Sequence, residues 1–389
     1  MLEVEKVTVM LPYGRQWIDE SDIQAVVKVL RSDWLTTGPM VEAFEKSIAE
    51  FVGAKHAVAL SSGTAALHAA MYAAGISKGD QVLVPPMTFV ATANSVVFQG
   101  GTPSFVDVES DTLLADPAKI EEKITSSTKA MAVVDYAGQP CDYDSLRDIS
   151  KHKHLILVED ACHALGAKYN DAKVGSLADL TVFSFHPVKH ITTGEGGMVV
   201  TDNAEFAEKM RRFRNHGIAT DYRQRAEKGT WFYEMLDLGY NYRLTDIQCA
   251  LGLSQLQKLP NWILRRQEIA KRYDAVFNDN PYVKPLKTKS TAFHAYHLYV
   301  VQLSLEKLKV TKNEIFAFLR NAGIGVNVHY VPVHLHPYYR ENYGTCLGMC
   351  PIAEAAYERI LSLPIFPGMN DDDVSKVIAA IDSLSGFSV

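Results

Sequence analysis

The chain has 389 residues, 47% hydrophobic and 22% charged, and its 39 Lys+Arg against 45 Asp+Glu give a formal charge of −6. This is ordinary globular usage, and it speaks against disorder, a basic nucleic-acid groove and a polybasic membrane patch. No run of about 18 apolar residues is present to span a bilayer. The opening MLEVEKVTVMLPYG carries two acids and no small-residue cleavage site after an apolar core, so no signal peptide is expected. Cys141, Cys162, Cys249, Cys346 and Cys350 are scattered and odd in number, a pattern of reduced cytoplasmic thiols rather than a disulfide scaffold.

There is no internal repeat or low-complexity tract. Ile23, Val26, Val27 and Leu30 fall at i, i+3, i+4 and i+7 and predict an opening helix from about Asp22. From there to about Asp202, apolar β-branched runs alternate with helical patterns: HAVALSS, QVLVPP, PSFVDV, KAMAVVDY, LILVEDA, LTVFSF and GMVVTD read as strands. Such runs predict an α/β fold with a mainly parallel central sheet flanked by helices. Ligands bind such sheets beyond the carboxyl ends of the strands. A helix over about Thr245–Leu259 should stop at Pro260, and another from Asn261 to Phe277 should lead into a second lobe. That lobe reads as a smaller α+β domain: a strand in HAYHLYVVQL, a helix in TKNEIFAFLRNAG, a strand in GVNVHY and two more helices. The expected division is 1–260 and 261–389.

Three places could carry chemistry. In SSGTAALHAA, Ser62, Gly63 and Thr64 sit where a strand gives way to a helix, as a phosphate seat or simply an N-cap. No GxGxxG follows the first strand and no GxxxxGK[ST] occurs, so nicotinamide and P-loop readings lose their usual support. Asp160 ends the apolar strand of LILVEDACHALGA, with His163 three residues on. It is a carboxylate buried against a cation, one facing a ligand crevice, or a helix cap. Lys189 lies in the polar turn of FSFHPVKHITTGEGG between His186 and His190, as a solvated lysine or one with a depressed pKa able to form a Schiff base. Together they have the chain order of a pyridoxal 5′-phosphate enzyme, with Asp160 against the pyridine nitrogen and Lys189 holding the aldehyde.

SSGTAAL, EDACHALGA, FSFHPVKHITTGEGG and GYNYRLTDIQCALG resemble the DegT/DnrJ-type sugar aminotransferases, fold-type I pyridoxal-phosphate enzymes, and the resemblance runs over nearly the whole chain. It implies a homodimer with active sites shared at the interface, nucleotide-linked keto-sugar acceptors and L-glutamate as amino donor. By the same resemblance Lys189 is the Schiff-base lysine, Asp160 the pyridinium partner and His163 the residue near the ring face. Gln139, in YAGQP, matches a contact to the ring hydroxyl. Gly63, Thr64 and Ser184 match phosphate contacts, and Asn241 one donated by the other subunit. Phe89 matches an aromatic stacked on the cofactor, or else is a core phenylalanine. A family branch that dehydrates sugars has histidine at the lysine position, so Lys189 stands against it.

LPYGRQWIDESDIQAVVKVLRSDWLTTGP, the lysine loop and GVNVHYVPVHLHPYY resemble the branch acting in pseudaminic acid biosynthesis, which aminates the C4 ketone of a UDP-linked 2-acetamido-2,6-dideoxy-4-keto-hexose. The substrate contacts this implies are Tyr13, Asp33, Trp34, Leu35, Thr36, Gly63, Ser184, Asn241, Val328, His329, Tyr330 and Val331. Tyr13 and Trp34 read equally as dimer packing. The alternatives are another keto-sugar (bacillosamine, perosamine or 4-amino-arabinose type) or a non-catalytic regulator that binds the cofactor or a sugar nucleotide.

His329, His334 and His336, with Cys346 and Cys350 downstream, match no common structural zinc spacing; a loop reaching the active site or a partner subunit is expected instead of a metal. Cys162 reads as a small packing residue. Asp371–Asp373 reads as a helix N-terminus, and Arg211, Arg212 and Arg214 as charges complementing a helix C-terminus.

Overall fold

The apolar runs of the first 200 residues form strands buried on both faces. The computed structural model describes residues 10–220 and 222–389. In it the strands are β1 (His56–Leu60), β2 (Gln81–Val84), β3 (Thr102–Phe105), β4 (Thr128–Val134), β5 (Ile156–Asp160), the short hairpin β6 (Lys168–Tyr169) and β7 (Ala172–Lys173), β8 (Leu180–Ser184) and β9 (Gly197–Thr201). Seven of them form one sheet in the order β1-β9-β8-β5-β4-β2-β3. β3, β2, β4, β5 and β8 pair parallel, whereas β9 runs antiparallel to both β8 and β1. Six carboxyl ends therefore share one edge, and the turn holding Lys189 joins β8 back to β9 there.

Helices cover both faces of this sheet. Helix Gly63–Ala73 begins where the Ser62 side chain accepts from Ala65 N–H, and its alanine-rich sequence lets it be buried nearly all round. Helix Glu20–Leu30 forms as its spacing predicts, but with a different face inward. Asp22 and Val29 are buried while Ile23 and Leu30 are exposed. The carboxylate of Asp22 is satisfied inside by Ser254, Gln255 and Lys258, at 2.6–2.7 Å, and these bonds set the rotation.

Pro260 does not end a helix. A single helix runs Asp246–Phe277, because residues on both sides of the proline are held by packing: Leu256 and Leu259 in the first core, Ile269, Ala270, Tyr273 and Phe277 in a second. Proline removes one N–H bond, and burial of the rest outweighs it. The second core lies under an antiparallel sheet of β10 (Val283–Pro285), β12 (Tyr299–Leu303) and β13 (Ile360–Leu363), while β11 (Ala292–Phe293) pairs with β6. GVNVHY is not a strand. It makes one isolated bridge, from Asn327 to Ser362, and the sheet position is taken by ILSL of β13, which its shortness concealed. Three helices rather than two follow: Pro337–Tyr343, Pro351–Tyr357 and Asp371–Asp382, the last capped by Asn370 with the expected acidic first turn. Among the described residues no helix is long and apolar enough to cross a membrane.

Candidate active site

The loops after β1, β2, β5 and β8 surround a cavity of about 570 Å3, closed on the far side by Tyr13 and Asn327–Tyr330. Lys189 enters it from the turn between β8 and β9. Its amine has no hydrogen bond or ion pair among the described residues, and burial lowers its pKa, opposed by the nearby Cys162 and Asp160. Asp160 closes β5 and faces the same cavity. Its Oδ2 accepts from the Thr92 hydroxyl at 2.6 Å and its Oδ1 from Cys162 N–H at 3.2 Å. No helix follows it, so it is not a helix cap.

His163 stands on the next turn, with Nε2 and the Tyr330 hydroxyl 3.0 Å apart and its Nδ1 buried without a partner. Burial, and then the charge of Lys189, push its pKa well down, so the ring is neutral. At the start of helix Gly63–Ala73, a Cβ on Gly63 would come within 2.9 Å of Ser184 Cβ. Only glycine allows this approach, which sets the Ser184 hydroxyl beside the first-turn N–H groups as an anion seat. Thr64 lines the cavity beside them, and so does Phe89, which at 57% exposed is no core residue.

Tyr13, Val328, His329 and Tyr330 line the wall, and the Tyr136 hydroxyl donates to the His329 carbonyl. Burial holds His329 at about 3. Val331 is exposed and lies outside the lining. Asp33, Trp34, Leu35 and Thr36 are exposed and also outside it; Thr36 bridges Thr245 instead. Asn241 points away as well, and the reason is local. Tyr240 and Tyr242 stack at 5.0 Å and pack around buried His68, so the residue between them is turned outward. Gln139 is buried elsewhere, its amide donating to Lys287 carbonyl at 3.1 Å and accepting from Lys289 N–H at 2.6 Å.

Several lining residues carried no warning in the sequence. His297 lies within HAYHLYVV, which reads as strand, yet the strand starts two residues later and the imidazole enters the cavity. Thr92 hides in an apolar helix, and Glu195 in the loop before β9. The later histidines do not converge: His334 Nε2 lies 2.7 Å from Glu354, while His329 Nδ1 meets Ser362 at 2.8 Å. Cys350 is buried and Cys346 exposed, and no group of three potential metal ligands occurs among the described residues. The arginines do more than complement a helix end, since Arg214 binds Glu45 and the Ala59 carbonyl, and Arg212 lies 3.2 Å from Asp237.

An amine without a partner, an oriented carboxylate, an anion seat open only because residue 63 is glycine, and a neutral imidazole with a vacant nitrogen together fit an aromatic aldehyde phosphate with a basic ring nitrogen. A model of the DegT/DnrJ/EryC1/StrS aminotransferase family matches residues 16–382. The chain belongs to this family. It is 43% identical over 380 residues to the spore coat polysaccharide biosynthesis protein SpsC of Bacillus subtilis, covering 97% of this chain and 98% of that one. Among solved structures it is similar to the putative sugar aminotransferase Spr1654 from Streptococcus pneumoniae in its PLP-form, at 33% identity and TM-score 0.90, covering 97% of this chain and 99% of the other. Helicobacter pylori PseC, an aminotransferase involved in pseudaminic acid biosynthesis, matches at 35% identity and TM-score 0.90, over 97% of this chain and 100% of that one. The protein is thus a nucleotide-sugar aminotransferase of fold type I, and its cofactor is pyridoxal 5′-phosphate.

Proposed function

We propose that this aminotransferase moves the amino group of L-glutamate to the C4 ketone of a UDP-linked 2-acetamido-2,6-dideoxy-4-keto-hexose, as in pseudaminic acid biosynthesis. The observation that carries the reading is the likeness to PseC over nearly the whole of both chains, with Tyr13, Gly63, Ser184 and Val328–Tyr330 gathered on one cavity. The 43% identity to SpsC favours a second reading, a different keto-sugar with the same chemistry.

When bound, the cofactor supplies an electron sink through its protonated ring nitrogen. Asp160, oriented by Thr92 and Cys162, is assigned to hold that proton in place. Gly63, Thr64 and Ser184 would hold its phosphate, Phe89 and His163 would stand beside its ring, and Lys189 would hold its aldehyde carbon. With its amine free, Lys189 would take the proton from the α-carbon of glutamate and later deliver one to the sugar carbon. Burial favours this, because a lysine with a lowered pKa is more often the neutral base. Glutamate leaves as 2-oxoglutarate and the ketone becomes an amine.

The working unit is proposed to be a homodimer. Exposed Trp231 (85%), Met235 and Leu238 (74%) lie on the segment leading to Asn241, and Trp34 and Leu35 are exposed too. Burying these against a second copy would bring Asn241 and the Asp33–Thr36 stretch to the neighbour's cavity. We propose two lobes, 1–260 and 261–389, sharing the long helix that crosses the boundary. Five free cysteines suit the cytoplasm.

Mass spectrometry of products after incubation with pyridoxal phosphate, L-glutamate and the L-arabino or D-xylo 4-keto epimer, in separate tubes, tests the reading. Amination of the L-arabino epimer alone is expected. Amination of the D-xylo epimer alone moves the enzyme to the second reading.

A further inference from the structure

Behind Lys189 the cavity wall is built of imidazoles. His297 is 5% exposed, lines the cavity and leaves its Nδ1 buried without a hydrogen bond. Its ring centroid lies 4.4 Å from that of His163, whose Nδ1 is equally unpaired, and 5.6 Å from that of His190. The backbone around His297 is fastened closely. Ala295 N–H donates to Gly138 carbonyl at 2.9 Å and Leu298 N–H to Ala137 carbonyl at 3.1 Å. A Cβ at Gly138 would come within 2.7 Å of the His163 carbonyl and 3.0 Å of His297 N, so glycine there lets the two histidine segments meet. Two rings from distant parts of the chain are thus held together over the first core, each with a buried nitrogen left unpaired among the described residues.

We propose that His297 is a further active-site residue, forming with His163 an imidazole pair that takes up the proton Lys189 sheds and returns it. One N–H bond of the Lys189 ammonium breaks, its electron pair stays on Nζ, and the proton bonds to an imidazole nitrogen of the pair. The reverse step restores the ammonium. The groups facing His297 are Lys189 and His190 from the loop between β8 and β9, His163 after β5 and Arg266 on the long helix; His329 and Tyr330 of the second lobe stand beside His163. Burial is the largest cause of the low proton affinity of His163, His190, His297 and His329, and the charge on Lys189 adds to it at each. Interaction of this kind is reciprocal: burial remains the larger cause, but when Lys189 becomes neutral its own share of the penalty is lifted, and closed walls shut a proton on the pair off from water.

The inference rests on Lys189 and His163 having the roles proposed above. Borohydride reduction of the loaded wild-type enzyme, followed by peptide mapping, tests the lysine assignment alone. The test of His297 uses His297→Phe, which keeps a packed ring, and His297→Gln, which keeps polarity, so that one folded variant suffices. Folding is checked by melting temperature. Turnover should fall about tenfold or more with KM within about twofold. Calorimetry of pyridoxal-phosphate binding to the cofactor-free full chain, in buffers of different ionisation enthalpy, should count up to one more proton released to water than in wild type. A folded variant with wild-type turnover, pH profile and proton count overturns the proposal.

Discussion

Glu159 and Asp160 are adjacent acids at the end of β5, opposite Val133 and Val134 of β4, and strand alternation sends them to opposite faces of the sheet. Asp160 reaches the cavity and accepts two hydrogen bonds, from Thr92 and Cys162. Glu159 is wholly buried against Asp135. There Oε2 of Glu159 accepts from Thr181 at 2.5 Å, and Oδ1 of Asp135 accepts from Cys141 N–H at 3.0 Å and Tyr143 hydroxyl at 2.9 Å. Glu159 Oε1 and Asp135 Oδ2 have no donor among the described residues. Burial, then the charge of Glu159, pushes Asp135 well above the carboxylate range, and burial raises Glu159 too. The two orphan oxygens are satisfied if the pair holds one proton between them. One residue along a strand therefore separates a carboxylate that faces the cavity from one buried against a second carboxylate.

Substitutions that remove charge but keep shape should separate the two sites. Asp160→Asn is expected to lower turnover by at least about 100-fold, roughly 2.7 kcal/mol on the barrier, while the melting temperature moves by less than about 2 °C. Steady-state transamination and a thermal melt read both. Glu159→Ala reverses the pattern. It strands Asp135 without its partner and should destabilise by about 3 kcal/mol in urea unfolding, with turnover per folded molecule within about twofold. Equal losses of turnover in these two variants would erase the contrast between the faces.

A proton shared by Asp135 and Glu159 would give a pH signature. An acid whose pKa is raised on folding stabilises the protein below the ordinary carboxyl range, and that contribution is lost as pH rises towards the folded value. Stability should therefore fall with rising pH, by up to about 1.4 kcal/mol per unit while one proton is involved. In Glu159→Gln the amide can donate to Asp135 Oδ2 without titrating. Unfolding at pH 5, 7 and 9 should show a flatter profile for the variant, which overtakes wild type at the alkaline end. Parallel profiles would mean that no proton is shared.

The amino-acid sequence is legible along the same division. Strands buried on both faces announce themselves as near-continuous apolar runs, and the cavity residues next to their ends, Asp160, His163 and Lys189, are found by looking just past the end of each run. Asp135 and Glu159 carry no such signal, since their partnership depends on the register between β4 and β5. Pro260 misleads because packing on both halves of the long helix outweighs a local breaker. GVNVHY alternates like a strand yet pairs through a single bridge, Asn327 to Ser362, whereas ILSL pairs along its length with β12. His297 is hidden because the turn that presents it is set by Ala137 and Gly138, some 160 residues away in the chain. Asn241 and the Asp33–Thr36 stretch lie outside the cavity of one chain, so their assignment rests on the proposed dimer.

The smallest effect concerns how Asp160 is aimed. The Thr92 hydroxyl lies 2.6 Å from Asp160 Oδ2 and 2.7 Å from the Thr88 hydroxyl, so it links the carboxylate to a buried chain of oxygens. Thr92→Val keeps the volume and the β-branch but removes the donor, leaving Cys162 N–H as the remaining bond to the carboxylate among the described residues. The charge survives and its orientation loosens. Turnover should drop about three- to tenfold, and stability by about 1 kcal/mol, with Thr92→Ser restoring both. Because this variant alters aim without altering charge, it calibrates Asp160→Asn. A loss in Thr92→Val as deep as in Asp160→Asn would assign the work of this residue to position, and a loss many times shallower assigns it to the negative charge itself.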